Sequence, residues 1–101
     1  MLTLSDFNEK VWNLTKKIPK GKVSTYKILA QKLGCKAYRA VGNALNKNPH
    51  APIVPCHRVV KSDGSVGGFA HGQKRKIEML KKEGIKIRDG KIIDLKKVLY
   101  K

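Results

Sequence analysis

A chain of 101 residues allows one domain with a modest core and excludes a deep, multi-lobed site closed around a large cofactor. A hydrophobic fraction of 41% is globular, no stretch nears the roughly 20 apolar residues of a membrane span, and the N-terminus shows no signal-peptide pattern, so a cytoplasmic protein with no membrane partner is expected. With Lys+Arg 23 against Asp+Glu 7 the net charge is +16, and residues 10–62 contain no acid at all, which favours nucleic acid as partner over a merely solvated basic surface or a membrane.

In chain order, Phe7, Val11, Leu14 and Ile18 fall on one stripe and predict a helix over 5–18, capped at Ser5 and ended by Pro19-Lys20-Gly21. Ser24 or Thr25 caps a second helix over 26–33, which Gly34 stops. A third begins near Lys36, turns Ala40, Val41, Ala44 and Leu45 inward, and breaks at Asn48-Pro49. Two short helices around a Gly-containing turn suggest a helix-turn-helix whose second helix enters a DNA groove, carrying Lys36, Tyr38, Arg39 and Lys47; an ordinary helical hairpin is the plainer alternative. Val59-Val60 and Ser65-Val66 flank an Asp63-Gly64 turn and read as a two-stranded wing. A basic helix over 73–83 turns Ile77 and Leu80 inward, and Ile85, Ile87, Asp89-Gly90 and Ile92-Ile93 make a short hairpin. The fold class expected is mainly α with short β-hairpins, a single winged helix-turn-helix domain over 1–101.

The chemistry concentrates in Val54-Pro55-Cys56-His57-Arg58-Val59-Val60. A thiol is a strong nucleophile only as thiolate and so needs a base or positive surroundings. In a strand, consecutive side chains face opposite ways, so His57 serves Cys56 only if Pro55 holds the pair in a turn or a water bridges them. The plain alternative is a buried cysteine acting as a small hydrophobe. Cys35 falls in the presumed turn and reads as incidental, His50 and His71 as loop residues. Neither cysteine has metal-ligand spacing, so no metal and no disulfide framework are expected.

Tyr26, Arg39-Ala40-Val41-Gly42, Asn48-Pro49, Pro55-Cys56-His57-Arg58-Val59-Val60, Gly67-Gly68-Phe69 and Glu83-Gly84 occur in that order. Over about residues 4–84 this pattern closely resembles the DNA-binding domain of the O6-alkylguanine-DNA alkyltransferases. The resemblance implies irreversible, single-turnover transfer of an alkyl (methyl) group from O6-alkylguanine to Cys56, by a monomer without cofactor, nucleoid-associated in a prokaryote. It implies that His57 deprotonates Cys56 through a water, that Glu83 orients His57, and that Asn48 braces the turn. Tyr26 would protonate the departing guanine and press on a phosphate, and Arg39 would replace the flipped-out base from the minor-groove side of duplex DNA. Arg58 joins Lys36, Tyr38 and Lys47 as a DNA contact, and Val54, Pro55, Gly67, Gly68, Phe69 and Ala70 line the base pocket. Each residue has a plainer reading: Tyr26 as packing, Arg39 as a phosphate contact, Glu83 as a solvated helix-end charge, Asn48-Pro49 as a turn.

Three departures stand out. The active-site domain alone is expected, without the N-terminal domain that many members carry. Phe69-Ala70 stand where many members have Tyr then a small residue, which removes a side-chain hydroxyl from the pocket. Residues 85–101 form a C-terminal extension to which only a structural role is assigned. The competing functions are a non-catalytic lesion-sensing protein of the same fold, whose known forms replace the nucleophile, and an ordinary winged helix-turn-helix regulator.

Overall fold

A computed structural model describes residues 4–47, 54–67 and 72–101. Helix α1 (Leu4–Lys16) places Val11 and Thr15 fully inside and half-buries Phe7 and Leu14. It starts one residue before Ser5, which therefore lies within the helix and is not its cap. Trp12 Nε1 donates to the Ala44 carbonyl at 2.8 Å, fastening α1 to α3 (Tyr38–Asn46).

Strand β1 (Ser24–Thr25) runs directly into α2 (Tyr26–Lys32), with the Thr25 hydroxyl accepting from Ile28 N at 3.0 Å as the N-cap. The end of α2 is a Schellman motif. Cys35 N donates to Ala30 O and Gly34 N to Gln31 O, each at 3.0 Å, with Gly34 at φ +72°. That turn swings the chain into α3, which starts at Tyr38, two residues later than the composition suggests. The helix-turn-helix is thus α2, a short Gly34 turn, and α3. Val41, Ala44 and Leu45 are buried as expected, while Ala40 is only half-buried.

The expected wing is built differently. The Asp63-Gly64 turn is present, with Gly64 at φ +89°, and Lys61 N donates to Ser65 O at 2.9 Å. Yet β2 (Val59–Val60) finds its strand partner in β1, in parallel, Ser24 opposite Val59 and Thr25 opposite Val60. Ser65 bridges Lys91 instead. The physical reason is burial: Val59 and Val60 are both 0% exposed, so this strand must be covered on both faces, as parallel strands are, and cannot project as a solvated ribbon.

Helix α4 (Gln73–Lys82) ends in a second Schellman motif, with Ile85 N donating to Leu80 O and Gly84 N to Lys81 O. Beyond it β3 (Ile87–Arg88) and β4 (Lys91–Ile92) form the expected antiparallel hairpin, followed by α5 (Leu95–Val98). The extension then returns to the fold: Val23 N donates to Val98 O at 2.8 Å and Tyr100 N to Val23 O at 2.7 Å. One apolar cluster joins α1, α2, α3, Cys56 and Val59, and a second joins Val23, Val60, Val66, Leu80, Ile85 and Ile92. The β1–β2 pair lies between them.

Candidate active site

Pro55 precedes a single 3-10 turn, Cys56–Arg58, that interrupts what would otherwise be one strand running into β2. Cys56 N donates to Val54 O at 2.8 Å and Arg58 N to Pro55 O at 2.9 Å. This turn replaces the alternation of a regular strand at residues 56 and 57. Cys56 is 7% exposed and packs at the edge of the first apolar cluster, and His57 is 3% exposed. Val54 and Pro55 are buried beside them.

His57 Nε2 lies 3.1 Å from Glu83 Oε2. An ionised carboxylate only accepts, so the neutral imidazole donates from Nε2 and keeps its lone pair on Nδ1. Burial lowers the imidazole pKa, and the hydrogen bond from Glu83 only partly offsets that. The lowered pKa favours the neutral imidazole. Glu83 is the C-cap residue just past α4, where the Gly84 turn ends the helix. Burial raises its carboxyl, but hydrogen bonds from Arg58 and His57 outweigh this and hold it below its ordinary value.

Arg58, expected on the DNA face, is corrected by these contacts. Its Nε donates to Glu83 Oε1 at 2.9 Å, Nη2 to Glu83 Oε2 at 2.6 Å, and Nη1 to the Ile18 carbonyl at 2.9 Å. A guanidinium committed in these three inward directions braces Glu83. The basic segment 10–62 has no acid of its own, and this arginine reaches one from α4.

Tyr26, at the start of α2, is half-buried, and both burial and the Cys56 thiolate charge raise its phenol pKa. Gly67 stands close to it: a Cβ there would lie 3.6 Å from the Tyr26 hydroxyl, and the backbone is at φ +78°. Tyr26 opens onto a cleft of about 520 Å³ shared with Tyr38, Arg39, Gly42, Asn43, Asn46 and Lys61. Two of the expected groove residues, Tyr38 and Arg39, thus converge on Tyr26. Lys36 and Lys47 are exposed at the two ends of α3 and do not line that cleft. Asn48, Gly68, Phe69 and Ala70 lie outside the described residues.

One residue of the cluster escaped the sequence reading. Lys76 is 1% exposed, its ammonium 3.4 Å from the Tyr26 hydroxyl and 5.7 Å from the centre of its ring. Within Lys74-Arg75-Lys76 it looks like one more solvated cation. Its spacing was the available signal: 76, 80 and 83 share a helix face, so a lysine in line with buried Leu80 and with Glu83 points inward. Lys61, Asn43 and Asn46 were also missed, and their polar, exposed character gave no sign of the cleft. Among the described residues no group of His, Cys, Asp and Glu could hold a metal ion, and no helix is long and apolar enough to cross a membrane.

The class this defines is a helix-turn-helix domain carrying a cysteine turn, Cys56–Arg58, whose His57 and Arg58 both bond to Glu83. A family model described as the DNA-binding domain of 6-O-methylguanine DNA methyltransferase matches residues 6–85, and the chain belongs to that family. It is 47% identical over 85 residues to the methylated-DNA–protein-cysteine methyltransferase of Methanosarcina barkeri, covering 83% of this chain and 54% of that protein. With the protein of the same name from Saccharolobus solfataricus it shares 49% identity over 81 residues, 80% of this chain and 52% of the relative. The chain thus spans about half the length of these curated relatives. Among solved structures, S. pombe Atl1 in complex with damaged DNA containing O6-carboxymethylguanine matches with a TM-score of 0.87 at 30% identity, over 99% of both chains. Mycobacterium tuberculosis OGT in complex with DNA matches with a TM-score of 0.75 at 42% identity, over 77% of this chain and 49% of the other.

Proposed function

We propose that this chain repairs DNA by taking an alkyl group from O6-alkylguanine onto Cys56, once and irreversibly. The observation that carries the reading is the Pro55 turn, which sets Cys56 beside a His57 whose lowered pKa favours the neutral form and which bonds to Glu83. The names of the long relatives support the reaction class.

The chemistry follows from those groups. The Cys56 thiol gives its proton to His57 Nδ1 through a water, and Glu83 stabilises the imidazolium that results. The thiolate attacks the alkyl carbon, an S–C bond forms, the C–O6 bond breaks, and its electron pair returns to the purine. Tyr26 donates the proton that makes guanine a neutral leaving group. The product is a thioether with no route back, hence one turnover. Because Cys56 is largely buried, the base must leave the duplex to reach it, and extrusion costs a few kcal/mol. Arg39, on the exposed face of α3, fills the vacated stack from the minor groove, while Tyr38, Lys36 and Lys47 hold the backbone. Asn48 and the loop Gly68-Phe69-Ala70 complete the turn and base pocket in this reading. The domain works as a monomer in the cytoplasm or on the nucleoid.

The deciding experiment is incubation with duplex DNA containing O6-methylguanine, followed by peptide mass spectrometry. One methyl group per protein, on Cys56, is expected, and Cys56→Ser should abolish it while DNA binding survives. A second reading, a lesion-binding protein without transfer, is favoured by one observation: Atl1, bound to damaged DNA, matches this chain end to end. Tight binding to the lesion with Cys56 unmodified would establish that reading in place of the first.

A further inference from the structure

The outer flank of α1 carries a cleft that the transfer does not use. Phe7, Leu14 and Leu33 are half-buried and pack from outside against the first apolar cluster. They floor a cavity of about 440 Å³ between α1 and the end of α2. Lys10, Lys17 and Lys32 rim it, all three exposed, and among the described residues no acid lines it. Among the described residues none of these lysines makes an ion pair. Lys32 is steadied by the Tyr100 ring, whose centre lies 5.0 Å from its ammonium. Phe7, Lys10 and Leu14 form one stripe of α1, which Lys17 continues just past the helix end. At 3.6 residues per turn, Trp12, which bonds the Ala44 carbonyl of α3, points to roughly the opposite side of α1. The cleft therefore lies on the flank of α1 away from α3.

We propose that this cleft is the docking site of a partner protein, which lays an acidic amphipathic helix into it. Alkyl transfer is not required for this. The apolar floor selects against nucleic acid, whose phosphate backbone is held by charge and hydrogen bonds, and in favour of a helix that buries an apolar face in a groove. The volume falls within the range of about 300–1,000 Å³ typical of small-ligand sites, which is room for the anchors of one helix face. Spacing completes the match. Lys10 and Lys17 are seven residues apart, about 10 Å or two helical turns, the interval at which a partner helix repeats its own face. Carboxylates two turns apart on that helix meet both lysines, and Lys32 meets a third from the α2 side. A second copy of this chain does not fit, because its acids within helices are Asp6 and Glu9 of α1 and Glu78 of α4, with no pair two turns apart. Burial of the floor supplies affinity, while the three charges set orientation and repel basic segments.

The probe is a fluorescent helical peptide with Leu and Trp along one face and Glu at two-turn spacing beside them, read by fluorescence polarisation. A matched peptide with Gln for each Glu is the control and should bind about tenfold more weakly. Replacing the rim together, Lys10→Gln, Lys17→Gln and Lys32→Gln, should weaken the Glu peptide about tenfold, the sum of three modest exposed ion pairs. Lys10→Glu with Lys17→Glu should restore binding to a peptide carrying Lys in place of Glu. Cys35 lines the cleft and is the single thiol left in Cys56→Ser, so its alkylation by iodoacetamide reports occupancy. Peptide at about ten times its Kd should slow that alkylation about tenfold. Equal affinity of the Glu and Gln peptides, an unslowed Cys35, or the same weakening from Arg39→Ala with Lys47→Ala overturns the proposal. So does a fall of about one unit or more in the DNA salt slope of the triple variant, which would assign this face to nucleic acid.

Discussion

Glu83 carries two obligations at once, holding the imidazole of His57 and neutralising the guanidinium of Arg58. Replacing it with Gln leaves Arg58 largely buried without its anionic partner, and Glu83→Gln should lose about 3 kcal/mol of stability in urea unfolding at pH 7. The same change removes the carboxylate that raises the His57 pKa, so the acid limb of the transfer rate should move to lower pH as the rate itself falls. Stability of the unaltered protein has its own pH dependence through this carboxylate. Its folded pKa lies below the ordinary 4.5, so its contribution is complete above that value and is lost as pH falls through the lower, folded one. Arg58 and Lys47 separate brace from DNA contact. Lys47→Ala should reduce the slope of log affinity against log salt by about 0.9, whereas Arg58→Ala should leave the slope alone and lower stability; an equal loss of slope would return Arg58 to the DNA face.

At the scale of elements, both glycine turns end helices, but only one supports the site. Gly34 (φ +72°) and Gly84 (φ +91°) each have nothing within 4 Å of an added Cβ, so alanine at either meets only the backbone penalty of about 1 kcal/mol. Gly34→Ala should therefore lower thermal stability without changing the rate of transfer into Cys56. Gly84→Ala should lower both, because the residue before it is Glu83. Equal kinetic effects would mean that the placement of Glu83 does not depend on that turn. Helices α1 to α4 were legible because each had an apolar stripe and a stop signal, whereas the four-residue α5 is too short to show a period. The sheet was not: Val59 and Val60 announce a strand, but a hairpin partner six residues on and a parallel partner at Ser24 and Thr25 look alike in composition. Complete burial selects the latter.

For the whole molecule, a net charge of +16 on 101 residues makes self-repulsion a standing feature of the fold. Among the described residues the close carboxylate partners of cations are few: Glu83 with Arg58, and the exposed Asp94–Lys97 contact. Added salt should consequently raise the melting temperature of the free protein while weakening its binding to DNA, opposite responses to the same screening. A melting temperature that falls with salt would mean that attractive pairs dominate. The extension beyond residue 85 also acts at this scale, because Val98 and Tyr100 bond to both sides of Val23 and so tie the chain end to the strand beside β2.

Taken by itself, the sequence was enough to determine helices α1 to α4, the turn that joins α2 to α3, the basic half, and the cysteine on which the proposed chemistry rests. These are local properties, written in periodicity, turn residues and residue type. Tertiary structure alone decided that Arg58 faces inward, that Lys76 is buried, and that β2 pairs with β1. Each of these depends on which distant group is within a few ångströms, and for a charged side chain that neighbour decides whether it meets water, DNA or a carboxylate.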